Sequence, residues 1–200
     1  MDRAEIQFLR IDFTQEKEKR ILESAIKHFI RYGYRKTSID EIVKDARVGK
    51  GMVYQYFNSK EDLFKKVAEI EHEIMFNELE KAIASEQNAE KRLVLYVVKK
   101  IQYTQDFFLE RGSDPRILKE LKGSYERMVP DYLREVAIIA EIIEIGIDNH
   151  VFKIDAVQQT APLISTIIRQ FEIRWNELQQ KEAETEVAAL FSILFKGLRS

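Results

Sequence analysis

The scarcity of chain breakers constrains this sequence most: 200 residues hold only 3 prolines and 7 glycines, and long stretches contain neither. Sheets and tight turns need more punctuation than that, so the chain reads as all-α. Apolar spacing agrees. Between Glu16 and Tyr32, residues Ile21, Leu22, Ala25, Ile26, Phe29 and Ile30 recur at the spacing of one amphipathic helix face. Gly33 follows, where a helix commonly closes in a left-handed turn. A second, short helix is expected from about Ser38 to Ala46, because Ser38 and Glu41 have capping-box spacing and Ile39, Ile42 and Val43 supply a buried face. Arg47-Val48-Gly49 is long enough only for a tight turn, and a third helix takes Lys50 to about Phe57. Asn58-Ser59 interrupts it and can cap a fourth, with Asp62 placed to close a second box and Leu63, Phe64, Val67, Ile70, Ile74 and Leu79 along its length.

Further helices are expected at about Ala89 to Glu110, Pro115 to Lys122, Ser124 to Asn149, Ala156 to Gln180 and Ala183 to Leu198. Pro130 falls in an early turn or at a kink of the third of these, and Pro162 leaves the start of the fourth open. No internal repeat, low-complexity tract or flexible linker separates them. The expected division is therefore a reading domain over 1–66 and a larger helical domain over 67–200, sharing the fourth helix.

Cysteine is absent, so neither disulfides nor thiolate metal sites can form, which fits a reducing compartment. Met1 to Asp12 is studded with charge and lacks the apolar core of a signal peptide. The longest apolar stretch, Val136 to Ile147, is broken by Glu141 and Glu144 and falls short of a membrane span. A cytoplasmic protein is the expectation. His28, His72 and His150 lie far apart without ligand spacing, and there is no phosphate-binding glycine loop or nucleophile motif. No metal, no cofactor and no enzymatic activity are expected.

The net charge of −2 conceals an asymmetry. Residues 1–66 carry 15 Lys/Arg against 11 Asp/Glu (+4), whereas 67–200 carry 17 against 23 (−6). A basic end on an acidic body suggests that one end meets a polyanion.

The helix order supplies the means. A helix, a short helix, a three-residue turn and another short helix make a helix-turn-helix, whose last helix enters the major groove of DNA. Gly49 and Gly51 leave the start of the third helix nearly bare, and Lys50 in its first turn can meet guanine acceptors or a phosphate. Tyr54 and Tyr56 carry hydroxyls that can donate to phosphates, although aromatics here can equally be core, as Phe57 should be. Lys60 with the amides opening the fourth helix would form a second phosphate clamp, and Lys36 with Thr37 a third.

The runs Thr37-Ser38-Ile39-Asp40-Glu41-Ile42, Ala46-Arg47-Val48-Gly49-Lys50-Gly51-Met52-Val53-Tyr54-Gln55-Tyr56-Phe57 and Ser59-Lys60-Glu61-Asp62-Leu63 resemble the DNA-binding region of the TetR (tetracycline repressor) family without a gap. Arg47 stands where that family usually has glycine, so either it tolerates a left-handed backbone at a cost of about 1 kcal/mol or the turn differs slightly. Gly49 stands where serine is frequent and can still serve as an N-cap. The resemblance implies base contacts from Lys50, Gly51, Met52 and Gln55, and backbone contacts from Lys36, Thr37, Tyr54, Tyr56 and Lys60. It also implies a divergent C-terminal domain that encloses a small molecule and forms a homodimer on a palindromic operator.

Twelve of the 21 aromatics lie beyond residue 70, which favours an apolar or aromatic effector. Candidate pocket walls are Tyr103, Phe107, Tyr125, Met128, Tyr132, Phe171 and Trp175. Glu141, Glu144 and Asp148 form a stripe that faces solvent or anchors a cation. Two apolar stripes, one of Val187, Leu190, Phe191, Leu194, Phe195 and Leu198 and one of Ile164, Ile168, Phe171 and Trp175, are expected at the dimer surface, with burial inside one subunit as the alternative. The expectation is a ligand-responsive regulator, most naturally a repressor. An architectural or protein-interaction factor that binds DNA without an effector is the alternative.

Overall fold

The computed structural model describes residues 16–109, 120, 121, 123, 124, 133–175 and 180–199, with backbone alone at 107–109, 173–175 and 180–184. Among the described residues there is no strand, and eight helices follow in order: α1 (Glu16–Lys36), α2 (Ile39–Ala46), α3 (Lys50–Tyr56), α4 (Lys60–Ile83), α5 (Ala89–Leu109), α6 (Leu133–Asp148), α7 (Val157–Trp175) and α8 (Gln180–Arg199). The all-α expectation holds, and Pro162 lies inside α7 rather than at its start. Two compact units emerge, one drawn from residues 1–76 and 103–130, the other from 77–102 and 131–200.

The first unit is built on the apolar face of α1. Ile21, Leu22, Ala25, Phe29 and Ile30 are buried together with Ile39 and Ile42 of α2, Val53 of α3, Phe57, and Leu63 and Phe64 of α4. Phe29 meets Phe64 edge to face at 5.1 Å between ring centroids, the arrangement their quadrupoles favour. Polar groups tie the helix ends into this core: the Ser24 hydroxyl donates to the Ile42 carbonyl at 3.0 Å, and the Arg20 guanidinium donates to the Ala46 carbonyl. Leu121 joins the same cluster, and Tyr103 packs half-buried against it.

At Gly33 the helical path of α1 breaks, with φ 81° and ψ 166°, a region that essentially only glycine occupies. The Glu120 carboxylate lies 2.9 Å from the point where a Cβ would stand, and accepts a hydrogen bond from the Arg35 amide at 2.8 Å. On the carbonyl side, the Lys60 ammonium donates to the carbonyls of Tyr34 (2.9 Å) and Thr37 (3.0 Å) and lies over the Tyr34 ring. An anion thus satisfies an amide and a cation satisfies carbonyls freed at one break, the charges matching the polarity of a helix end.

In the second unit α6 and α7 pack along each other. Ile138, Ile139, Ile142 and Ile143 of α6 and Ala161, Ile164, Ser165 and Ile168 of α7 are buried. The ring of Phe152, after the end of α6, fills the space that a Cβ at Gly146 would need. The stripe of Glu141, Glu144 and Asp148 is exposed, and Glu141 pairs with Arg92 at 2.8 Å. The solvent-facing alternative describes it.

Each of the two apolar stripes is buried in part within the chain. Ile164, Ile168, Phe171, Phe191 and Leu198 are buried within the chain, Val187, Leu190, Leu194 and Phe195 are half-buried, and Leu163, Ile167 and Ile193 are exposed.

The second unit also buries charge. Lys100 of α5 lies between Glu135 of α6 (2.5 Å) and Glu172 of α7 (3.3 Å), and none of the three is more than a tenth exposed. Glu135 accepts from the Tyr96 phenol at 3.3 Å and from the Ser165 hydroxyl at 3.1 Å. Burial disfavours the Lys100 ammonium, yet Glu172 and Glu135 outweigh it and hold its pKa above the ordinary lysine range. Burial, then the charges of Glu135 and Glu172, push the Tyr96 phenol well above its ordinary value.

Candidate nucleic-acid interface

The local sequence sets α2 and α3 in place through their ends. Ser38 begins α2 in extended conformation, and its hydroxyl accepts from the Glu41 amide while the Glu41 carboxylate accepts from the Ser38 amide. This is the capping box expected from the spacing. The Ser38 hydroxyl also lies 2.7 Å from the Glu41 carboxylate as a donor, and this bond first and the Ser38 amide second lower the Glu41 pKa. Arg47 closes α2 at φ 52° and ψ 48°, the left-handed one of its two alternatives, and its amide donates to the Lys44 and Val43 carbonyls. Gly49 is the N-cap of α3 in extended conformation, without a side-chain cap bond. At the start of α4 the Ser59 hydroxyl accepts from the Asp62 amide at 3.0 Å, and the Asp62 carboxylate reaches back to the Asn58 amide at 2.9 Å. The second box therefore closes one residue earlier than its spacing suggests.

With Val53 and Phe57 turned into the core, α3 has its opposite side outward. Lys50, Gly51, Tyr54 and Gln55 are exposed, Tyr54 to 49%. Met52 and Tyr56 are partly buried and pack against the core. At Gly49 and Gly51 the position of an added Cβ meets nothing within 4 Å, so the chain's own packing does not require glycine at either. Lys36 is exposed at the end of α1. Lys50 is not free: its ammonium lies 2.8 Å from the Asp40 carboxylate of α2, a hydrogen bond and charge that raise its pKa.

Two residues expected at phosphates are occupied elsewhere. Thr37 is 2% exposed, its hydroxyl within hydrogen-bonding distance of the carbonyls of His28 (3.0 Å) and Gly33 (2.8 Å). The Lys60 ammonium is held by the two carbonyls at the α1 break. Both supply donors to carbonyls around the break in α1, where groups lack intrahelical partners.

Of the expected pocket walls, Tyr103 is half-buried in the first unit and Phe171 is buried in the second. Tyr125, Met128 and Tyr132, and the side chains of Phe107 and Trp175, lie outside the described residues. The buried group of Lys100, Glu135, Glu172 and Tyr96 went unnoticed in the sequence, although Leu93, Tyr96, Val97 and Lys100 share a helical face and Glu135 precedes Ile138, Ile139 and Ile142 at the same spacing. Asp40 was missed as a partner of Lys50, and no linear spacing signals it. Among the described residues no three or more His, Cys, Asp or Glu could together hold a metal ion, and no helix is long and apolar enough to cross a membrane.

Residues 21–67 match the family model described as bacterial regulatory proteins, tetR family. The chain is 44% identical over 52 residues to the HTH-type transcriptional regulator YhgD of Bacillus subtilis (strain 168), covering 26% of this chain and 27% of that protein. It is 26% identical over 83 residues to the fatty acid metabolism regulator protein of the same organism, covering 42% of this chain and 43% of that protein. The chain thus spans about a quarter and under half of these two relatives. The crystal structure of a TetR-family regulator from Syntrophomonas wolfei superposes with a TM-score of 0.64 at 25% identity, over 92% of this chain and 96% of that one.

Proposed function

We propose, from the match of residues 21–67 to the tetR family of bacterial regulatory proteins, that the chain is a ligand-responsive repressor of that family that binds a palindromic operator as a homodimer. Residues 1–66 act as the reading head and 67–200 as the effector-binding and dimerising body. The observation that carries the reading is the outward side of α3, where Lys50, Gly51 and Gln55 are exposed while Val53 anchors the helix from behind. A short helix held only by its inner side is free to enter a major groove.

Bases are met by Lys50, Gly51, Met52 and Gln55, and phosphates by Lys36, Tyr54 and Tyr56. Thr37 and Lys60 act mainly by holding the α1 break that sets the angle of α2. The space around Gly49 and Gly51 supports the reading: glycine in a helix costs roughly 0.5–1 kcal/mol relative to alanine, so a bare backbone that internal packing does not demand fits close approach by a partner.

One seven-residue helix reads few bases, so two copies about 34–36 Å apart would meet successive major grooves. Leu163 (65% exposed) and Ile167 (39%), one turn apart on α7, and Ile193 (69%) on α8 are the apolar side chains offered to a second copy. The effector is a small apolar or aromatic molecule, a reading supported by the likeness to a relative named for fatty acid metabolism.

Genome-fragment selection with the purified protein, followed by gel shift at two salt concentrations, tests this. Recovery of a palindromic site is expected. Salt-sensitive binding without sequence preference would replace the repressor with an architectural DNA-binding factor. Sedimentation of Leu163→Glu and Ile193→Glu variants tests the dimer; unchanged mass in both would remove this face from the interface.

A further inference from the structure

The ion pair between Asp40 and Lys50 joins the second residue of α2 to the first residue of α3, and both side chains face outward, 71% and 53% exposed. Asp40 is the fixed partner. Its carboxylate is on a short stem in the first turn of a capped helix, where the amide ends favour an anion. Lys50 is the movable partner, a point charge on a four-carbon stem.

A lysine alone discriminates poorly among anionic partners, because a phosphate and a base acceptor both satisfy an ammonium. Phosphate contacts supply affinity to any sequence and carry no sequence information directly. Holding the ammonium against a carboxylate changes that balance. It fixes the charge at the start of α3 and offsets its pull on phosphates, so leaving Asp40 requires an acceptor of comparable geometry. The paired O6 and N7 acceptors of guanine in the major groove offer one.

Resting on the reading of α3 as the recognition helix, we propose that Asp40 is a specificity-determining residue that positions Lys50 for a base edge and suppresses its binding to phosphates at large. Asp40 touches no base in this scheme. It acts through Lys50.

The test measures affinity of the full-length protein for two duplexes, the fragment recovered by genomic selection and a scrambled duplex of equal length and composition. Asp40→Asn should raise affinity for the scrambled duplex about 3–10-fold and steepen its salt slope by about 0.9, one added phosphate contact, while the selected fragment gains less. The ratio of the two affinities falls, and Asp40→Glu should restore most of it. In a Lys50→Ala background the Asp40→Asn change should leave that ratio alone. An equal gain on both duplexes, or the same change in ratio with and without Lys50, would overturn the proposal and leave only a general charge effect. Failure of the underlying reading looks different: Lys50→Ala and Gln55→Ala would each leave both affinities unchanged. Circular dichroism of every variant checks that these exposed substitutions leave the fold intact.

Discussion

In the first unit Lys50 meets Asp40 at 2.8 Å with both side chains more than half exposed; in the second, Lys100 meets Glu135 at 2.5 Å with both almost wholly buried. The charges are the same and the surroundings are not. An exposed pair gains about 0–1 kcal/mol, is weakened by salt and can exchange partners. A buried pair has already lost its water, so removing one member strands the other at a cost of about 3–5 kcal/mol. The first arrangement suits a surface that trades one anion for another. The second suits a body whose helices α5, α6 and α7 must keep one arrangement, with Lys100, Glu135 and Glu172 contributed one from each.

The comparison breaks most visibly under substitution of the lysines. Lys100→Ala should destabilise the protein by about 3–5 kcal/mol in denaturant titration, and Lys50→Ala by less than about 1 kcal/mol. Equal losses would show that burial does not separate the two pairs.

The first unit nevertheless has its own committed point. Gly33→Ala should cost about 1–3 kcal/mol, because its φ of 81° and ψ of 166° disfavour other residues and the Glu120 carboxylate lies 2.9 Å from the Cβ position. A thermal unfolding midpoint unchanged by this substitution would mean that the break is not held as described.

Most of this was legible in the sequence where a signal is local. The Ser38–Glu41 box, the Gly49 cap and the α1 core face follow from spacing and side-chain chemistry within a few residues, whereas the backbone at Arg47 stays open in the sequence between a left-handed residue and an altered turn. What escaped the reading is what folding brings together from a distance. Asp40 finds Lys50 ten positions on, Glu120 reaches Arg35 across 85 positions, and the Lys60 ammonium reaches the Tyr34 and Thr37 carbonyls. The apolar stripes of α7 and α8 show the same boundary: periodicity tells that a helix has an apolar face, not whether that face meets its own chain or another.

A smaller effect sharpens the contrast between surface and core. Gly51→Ala should stabilise the fold by about 0.5–1 kcal/mol, since a methyl there meets open space, yet weaken DNA binding. Opposite changes in unfolding midpoint and gel-shift affinity are expected; a gain in both would mean that the bare backbone at α3 serves no partner.

The smallest effect is a matter of pH. Tyr96 keeps its proton in the fold beyond its ordinary value of 10.0, so its contribution is fully present below that value and is lost as pH rises through the raised one. Lys100, also raised, acts in the same direction. Stability should therefore fall along an alkaline limb, and Tyr96→Phe should flatten it. An identical limb in the variant would assign the loss to other groups.

The central claim is that the exposed side of α3 reads sequence, and Gln55 tests it most directly because it is exposed and forms no part of the core. Competition gel shift of Gln55→Ala between the selected fragment and scrambled DNA is the measurement. The account predicts weaker binding to the selected fragment with scrambled DNA bound as before. Undiminished preference for the selected fragment would contradict it.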